Sequence, residues 1–460
     1  MTSLVIDWAL VGSKAAQLIL SLSIIVILHE LGHFIPAKLF KCRVEKFFLF
    51  FDPWFAAVKK KVGDTVYGIG WLPLGGYVKI SGMIDESMDK EQMSQPAQPW
   101  EFRSKPAWQR LIIMIGGVTV NVLLSFVLYG MVLFVWGEKK VPMSGIPNGI
   151  AITDSIMYDL GFKDGDKIVA VNGEPVTYFD DATRKIVLGE NVTVQRDGQD
   201  KTIALPVNLI GKLIKKKKSG NPLFIPRLPI IVADVADSSN AAKAGLRKFD
   251  RILSVDSVKT EFSEKFQLFK DELDRHKNNN VTIVVARNNT VDTLHALVNA
   301  NGTLGFHMGL DMQTLDSLGL IKIERKQFSF LESFPAGVKL AGQTLNDYIS
   351  QFKKILTPKT EAYKGLGGFG GIASMFPKVW DWQAFWTMTA FLSIALAFMN
   401  ILPIPALDGG HVLFTLIEII TKRKPNQKFL EYAQVVGMVL LLALLIYANG
   451  NDWFGWGRGR

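Results

Sequence analysis

The sequence predicts a polytopic α-helical membrane protein with four transmembrane helices, an active site in the membrane, and two small α+β domains inserted between the second and third spans. Three observations carry that reading. Four segments, 15–35, 111–136, 385–401 and 429–448, approach or exceed the roughly 20 apolar residues that a bilayer span needs. Inside the first of them lies His29-Glu30-Leu31-Gly32-His33. Three ionisable side chains there are costly unless they are paired, metal-bound or facing a wet cavity. Between the second and third spans runs a long polar stretch that contains a degenerate repeat.

Composition agrees with this division. The 460 residues are 48% hydrophobic with a mean hydropathy of +0.20, yet 20% are charged, which suits spans joined to soluble modules better than one globule. The net charge of +10 raises nucleic acid as a partner. The basic residues are scattered, however, and follow the predicted membrane boundaries. The densest run, Lys215 to Lys218, has no interleaved aromatic side chains, so it reads as a solvated linker and nucleic acid is set aside. Anionic lipid headgroups are a secondary partner for it. Cys42 is the single cysteine, so an intramolecular disulfide is excluded, and it is not spaced to join the histidine motif.

Residues 1–40 form the first predicted span. No small-residue cleavage site precedes the histidine motif, so the segment reads as a retained helix and not as a signal peptide. In a helix, His29 and His33 share a face and can offer two imidazoles to one metal ion. Glu30 lies beside them, where it can accept a proton from a water that the metal activates. The competing reading is a soluble amphipathic helix with a chance pattern.

Residues 41–110 form a loop rich in Lys and Arg, and Lys422, Arg423, Lys424 and Lys428 mark the loop 403–428. The positive-inside rule places both in the cytoplasm, and both termini and the region 137–380 outside it. Arg458 and Arg460 argue weakly the other way. The remaining spans are 111–136, 385–402 and 429–448, the third being the shortest, with Trp380, Trp382 and Trp386 to anchor its start.

In the outer region, Leu160-Gly161-Phe162-Lys163-Asp164-Gly165-Asp166 and the strand-like run to Gly173 are echoed from Ala244-Gly245-Leu246 to Ser257, at an offset of 84 residues. The pattern resembles the Ala-Gly-Leu-x-x-Gly-Asp-x-Ile-x-x-Val-Asn-Gly run of bacterial PDZ domains. Two PDZ-like domains are expected, at about 140–210 and 226–312. The second copy departs from the pattern at Phe249, Asp256 and Ser257. PDZ domains bind peptides by strand addition, but no Gly-Leu-Gly-Phe loop is visible, and a steric role is an equal alternative. At 330–357, apolar residues such as Phe334, Val338, Leu345 and Phe352 recur at helical spacing and predict an amphipathic helix on the membrane surface or under the outer domains.

Two histidines leave a catalytic zinc one ligand short. Among the six histidines, His276, His295 and His307 lie in the outer region. Asp408 and His411 follow the third span, which ends at the same side as the first. Pro403 and Pro405 break that helix and Gly409-Gly410 allow a sharp turn. Asp408 is preferred, because a carboxylate offsets part of the dication's charge. An N-cap for the following helix is its bland alternative.

These residues closely resemble the site-2 protease family of intramembrane zinc peptidases, in particular the bacterial regulator-of-sigma-E protease branch. The likeness is strongest at His29 to Phe34, at Pro73-Leu74-Gly75-Gly76-Tyr77-Val78-Lys79, and from Asn400 to His411. The resemblance implies one zinc ion held by His29, His33 and Asp408, with Glu30 as general base and Asn400 holding substrate. It implies a membrane-associated β-hairpin at Gly75, Gly76 and Tyr77 that adds substrate as a strand, and a Gly-x-x-x-Asn element ending at Asn121, which is placed with the substrate-binding residues. Close helix packing with no catalytic role is the alternative for that element. The substrates implied are membrane-spanning anti-sigma factors trimmed outside, or leftover signal peptides. The setting implied is the bacterial inner membrane, and a functional monomer is expected. Gly365 to Gly371 sits where the family has a loop before the third span but lacks its proline. A membrane scaffold or receptor with a structural metal is the alternative from another class, and a metal transporter is a third.

Overall fold

The computed structural model describes residues 8–83, 95–216, 222–288 and 290–457. Lys217 and Lys218 of the basic run, and Arg458 and Arg460, lie outside the described residues. The chain divides into two compact units, one of residues 1–138, 327–356 and 363–460, the other of 139–326 and 357–362.

The first unit is built from α1 (Trp8–Leu39), β1 (Val44–Val62), β2 (Thr65–Ile80), α2 (Ala107–Trp136), α3 (Phe330–Leu356), α4 (Trp382–Ile401), α5 (Asp408–Thr421) and α6 (Gln427–Phe454). Helices α1, α2, α4 and α6 are long and apolar enough to cross a membrane. α2 is the hub, packed by α1, α3, α4 and α5. Small residues make this possible. A Cβ on Gly32 would stand 2.5 Å from the Gly116 carbonyl oxygen, and one on Gly337 would stand 2.5 Å from the Gly130 nitrogen, so α1 and α3 each meet α2 backbone to backbone. Capping sets the helix ends. Asp381 accepts a bond from the Ala384 N–H at 2.7 Å to start α4, and Asn426 accepts one from Lys428 N–H at 2.9 Å to start α6.

The segment 44–80 is more folded than a plain hairpin. Lys46, Phe47, Phe48 and Leu49 pair on one side with Lys79, Val78, Tyr77 and Gly76, and on the other with Val66, Tyr67, Gly68 and Ile69. Val58 to Lys61 then pairs with Ile69 to Val66. The two long strands thus bend back to make a layer of four strand segments joined by three ladders, in which 76–79 is an edge. The bend sits where the register breaks between Phe51 and Ala56, and Phe50 and Trp54 there have φ of 68° and 71°.

The second unit holds two β modules. One has strands in the order Glu174–Pro175, Lys167–Val171, Asn191–Arg196, Gln199–Ala204, and its core also takes in Phe224 from the strand Phe224–Pro226, which pairs with Ile150–Ile152. The other runs Thr290–Leu297, Asn280–Arg287, Arg251–Val255, Ile230–Val235, Phe306–Met308. The repeated sequence has a shared physical core. Buried Asp166 takes both Nε and Nη2 of Arg196 at 2.7 Å, and Nη2 also donates to the Gly161 carbonyl at 2.8 Å. Buried Asp250 takes Nε and Nη2 of Arg287 at 2.7 and 2.6 Å, with the Gly245 carbonyl again 2.8 Å from Nη2. Each carboxylate needs its fork, because an unpaired buried charge costs about 3–5 kcal/mol.

Candidate zinc centre

Helical periodicity stacks His29 and His33 on the face of α1 that meets α2, and each is only 7% exposed. Two adjacent imidazoles need room. Gly117 supplies it: a Cβ at that position would lie 2.4 Å from His33 Nε2 and 2.6 Å from His29 Cε1. The His33 ring is set by its Nδ1, which lies 2.8 Å from the Ile113 carbonyl oxygen. A carbonyl only accepts, so Nδ1 carries the proton and Nε2 keeps its lone pair.

The third group arrives from the turn after α4. Pro403 and Pro405 prevent α4 from continuing, and the chain reverses tightly enough that a Cβ on Gly409 would stand 2.2 Å from the Leu402 carbonyl oxygen. Ala406 adopts a φ of 78°, and its N–H donates to Gln434 Oε1 of α6 at 3.1 Å. Asp408 then opens α5 with its carboxylate turned to the histidines. Its Oδ2 lies 3.2 Å from His29 Nε2 and 3.3 Å from His33 Nε2, and the two Nε2 atoms are 3.3 Å apart.

That near-equilateral triangle tests whether zinc fits. A tetrahedral ion with bonds of about 2.0–2.1 Å spaces neighbouring donors about 3.3 Å apart. The donors are two imidazoles and a carboxylate, and Asp408 Oδ2 is buried without a hydrogen bond of its own. Lone pairs converging in this way repel one another unless a cation lies between them. The donor set fits zinc.

Beside the triangle is a cavity of about 590 Å³ whose wall includes His29, Glu30, His33, Asp408 and His411, and also Gly76 to Ile80 of the sheet edge. Gly76 permits the approach of that edge to α1, since a Cβ there would meet Val26 at 2.8 Å. Tyr77 is held by its hydroxyl, which donates to Asp52 Oδ1 at 2.7 Å, and by stacking on Phe48. Asn400 lies with its amide nitrogen 3.2 Å from His29 Nε2. Asn121 is fully buried, 3.1 Å from His29 Nδ1, and is not among the residues lining the cavity.

His411 therefore borders the site without joining the donor triangle. His276, His295 and His307 belong to the second unit. His276 approaches Asp256 and Glu272, but its Nδ1 is already engaged by the Glu272 carbonyl at 3.0 Å. Sequence reasoning missed Gln434, whose signal was the single amide side chain within the predicted span 429–448. It also missed the Ile113 carbonyl, for which a sequence carries no signal.

The match to peptidase family M50 extends over residues 17–444. The chain belongs to this family, the site-2 proteases. Its relatives include proteins named "Putative zinc metalloprotease" from Borreliella burgdorferi, Thermotoga maritima and Vibrio cholerae, with 27%, 24% and 26% identity. The alignments cover 95%, 94% and 95% of this chain and 97% of each relative. The peptidase is a zinc metalloprotease with four helices long and apolar enough to cross a membrane among the described residues, and the His29, His33 and Asp408 group is suited to its metal.

Proposed function

We propose that this peptidase cuts a peptide bond inside the transmembrane segment of another protein, at a site held within the membrane. The observation that carries the reading is the donor triangle itself. It is assembled from α1 and from the turn that ends α4, two helices long and apolar enough to cross a membrane, beside an open sheet edge.

Zinc held by His29, His33 and Asp408 supplies Lewis acidity, which activates water and polarises a carbonyl. Glu30 accepts the proton from the attacking water as its oxygen adds to the scissile carbonyl carbon. When the carbon–nitrogen bond breaks, Glu30 returns that proton to the leaving amine. The Asn400 amide, next to the triangle, donates to the substrate carbonyl or backbone. A helical substrate must unwind first, and its freed amides need partners. The segment Gly75, Gly76 and Tyr77 provides them by adding the substrate as a strand, with Gly76 and Tyr77 on the cavity wall.

The two β modules are PDZ-like domains lying outside the cytoplasm with both termini, in a bacterial inner membrane. They exclude untrimmed substrates by size. The substrates are pre-trimmed anti-sigma factors or signal-peptide remnants, and the enzyme acts as a monomer.

The test is cleavage of a single-span substrate in reconstituted membranes by wild type and Glu30→Gln, with bound zinc quantified in both. The variant is expected to lose about 10²–10⁴-fold in rate and to keep its zinc. Zinc-loaded wild type that leaves a panel of single-span substrates intact would overturn the proposal.

A further inference from the structure

We infer that Asn121 is a positioning residue for the metal site: its side-chain oxygen accepts the His29 Nδ1 proton and thereby aims the His29 Nε2 lone pair at the ion. The inference rests on His29, His33 and Asp408 being the zinc ligands.

The two histidines are supported differently. His33 has a carbonyl acceptor, Ile113, on its Nδ1. His29 has no carbonyl there; the polar group against its Nδ1 is the Asn121 amide at 3.1 Å. For Nε2 of His29 to serve the ion, the ring proton must sit on Nδ1, and a buried N–H needs an acceptor. As placed, the amide presents Nδ2 to the ring and leaves Oδ1 buried with no partner. Rotating the planar amide by 180° exchanges the two atoms at no cost in shape. It gives His29 Nδ1–H the acceptor that use of Nε2 as a ligand requires, and it moves the unpartnered position of the amide from Oδ1 to Nδ2.

The surroundings hold Asn121 to this task. Its residue is 0% exposed, and its backbone carbonyl accepts a bond from Ser393 Oγ of α4 at 2.8 Å. α2 is thereby pinned to the helix that leads to Asp408. Gly117, one turn earlier, makes the space in which the imidazoles meet the amide. Asn121 meets the ring at Nδ1, on the side away from the donor triangle, and is not among the residues lining the cavity, which favours support of His29 over contact with substrate.

The experiment measures zinc affinity of the full-length protein in detergent by chelator competition, with no substrate present, for wild type, Asn121→Leu, Asn121→Asp and His29→Ala. Cobalt(II) absorption of each reports the donor geometry. Asn121→Leu keeps the volume and removes the acceptor, and is expected to weaken zinc binding about 10–100-fold. Asn121→Asp keeps an acceptor and is expected to bind zinc at least as tightly as wild type, with the same cobalt spectrum. If packing alone mattered, Leu and Asp substitutions would weaken binding alike, and that result would overturn the inference, as would wild-type affinity in Asn121→Leu. His29→Ala separates the two levels: unchanged zinc affinity there would sink the ligand assignment itself. If Asn121→Leu fails to fold, Asn121→Ala against Asn121→Asp gives the same comparison.

Discussion

At the scale of single residues, the metal site depends as much on absent side chains as on present ones. Gly117 is the clearest case, because a methyl group there would fall 2.4 Å from a ligand nitrogen. Gly117→Ala is therefore expected to push His33 off its Ile113 anchor. Zinc affinity should drop at least about tenfold, with an overpacking cost of about 1–3 kcal/mol to the helix pair. Chelator competition and thermal melting read the two effects, and wild-type affinity in this variant would show that the imidazoles have slack. The group that could hold the metal was legible in the sequence, since His29 and His33 are one helical turn apart and Asp408 follows a forced helix break. Its supports were not. A backbone carbonyl such as Ile113 O has no sequence identity, and Gln434 reaches the Ala406 turn from a helix that begins after the site is complete. Phe249 teaches the converse lesson. It stands where the first repeat has Gly165, and both residues adopt positive φ, 71° and 91°. The second repeat kept the turn and accepted the strain, so the departure in sequence was not a departure in structure.

At the scale of elements, the four long apolar helices were readable from length and apolarity alone, the two properties that lipid demands of a crossing segment. The sheet at 44–80 was readable only in part. Turn and strand character were visible around Pro73 to Ile80, but the doubling of the layer depends on positive φ at Phe50 and Trp54, residue types that do not announce it. That doubling matters for the proposed addition of substrate, since it puts 76–79 at an edge beside the donor triangle. In an edge strand, successive N–H groups alternate between the neighbouring strand and the open side. Proline removes one N–H without adding bulk to the cavity floor. Of Tyr77→Pro and Val78→Pro, the substitution that removes the outward N–H is expected to slow cleavage at least about tenfold while zinc stays bound. The one that removes an inward N–H should instead lower the melting temperature. If both variants fold, hold zinc and cleave at the wild-type rate, substrate does not add to this edge.

At the scale of the whole molecule, the repeated Arg–Asp forks explain how one chain carries two modules of like build: each copy neutralises one buried carboxylate and ties it to the glycine turn before it. The first module draws Phe224 into its core across the basic run near 215–218, a pairing distant in sequence that local pattern cannot reveal. The modules are not needed to form the metal site, whose ligands and supports all belong to the other unit. A size-filter role therefore makes a separable prediction. Removing 140–312 should leave zinc binding and the cleavage of a trimmed single-span substrate near wild-type values. Cleavage of the same substrate carrying a folded outer domain should rise from background. Comparing the two substrates within each protein cancels any general loss from the deletion. If the bulky substrate stays uncut while the trimmed one is cleaved, exclusion is imposed within the membrane unit itself. If the trimmed substrate is also lost while zinc remains bound, the modules deliver substrate, and peptide capture replaces exclusion as their function.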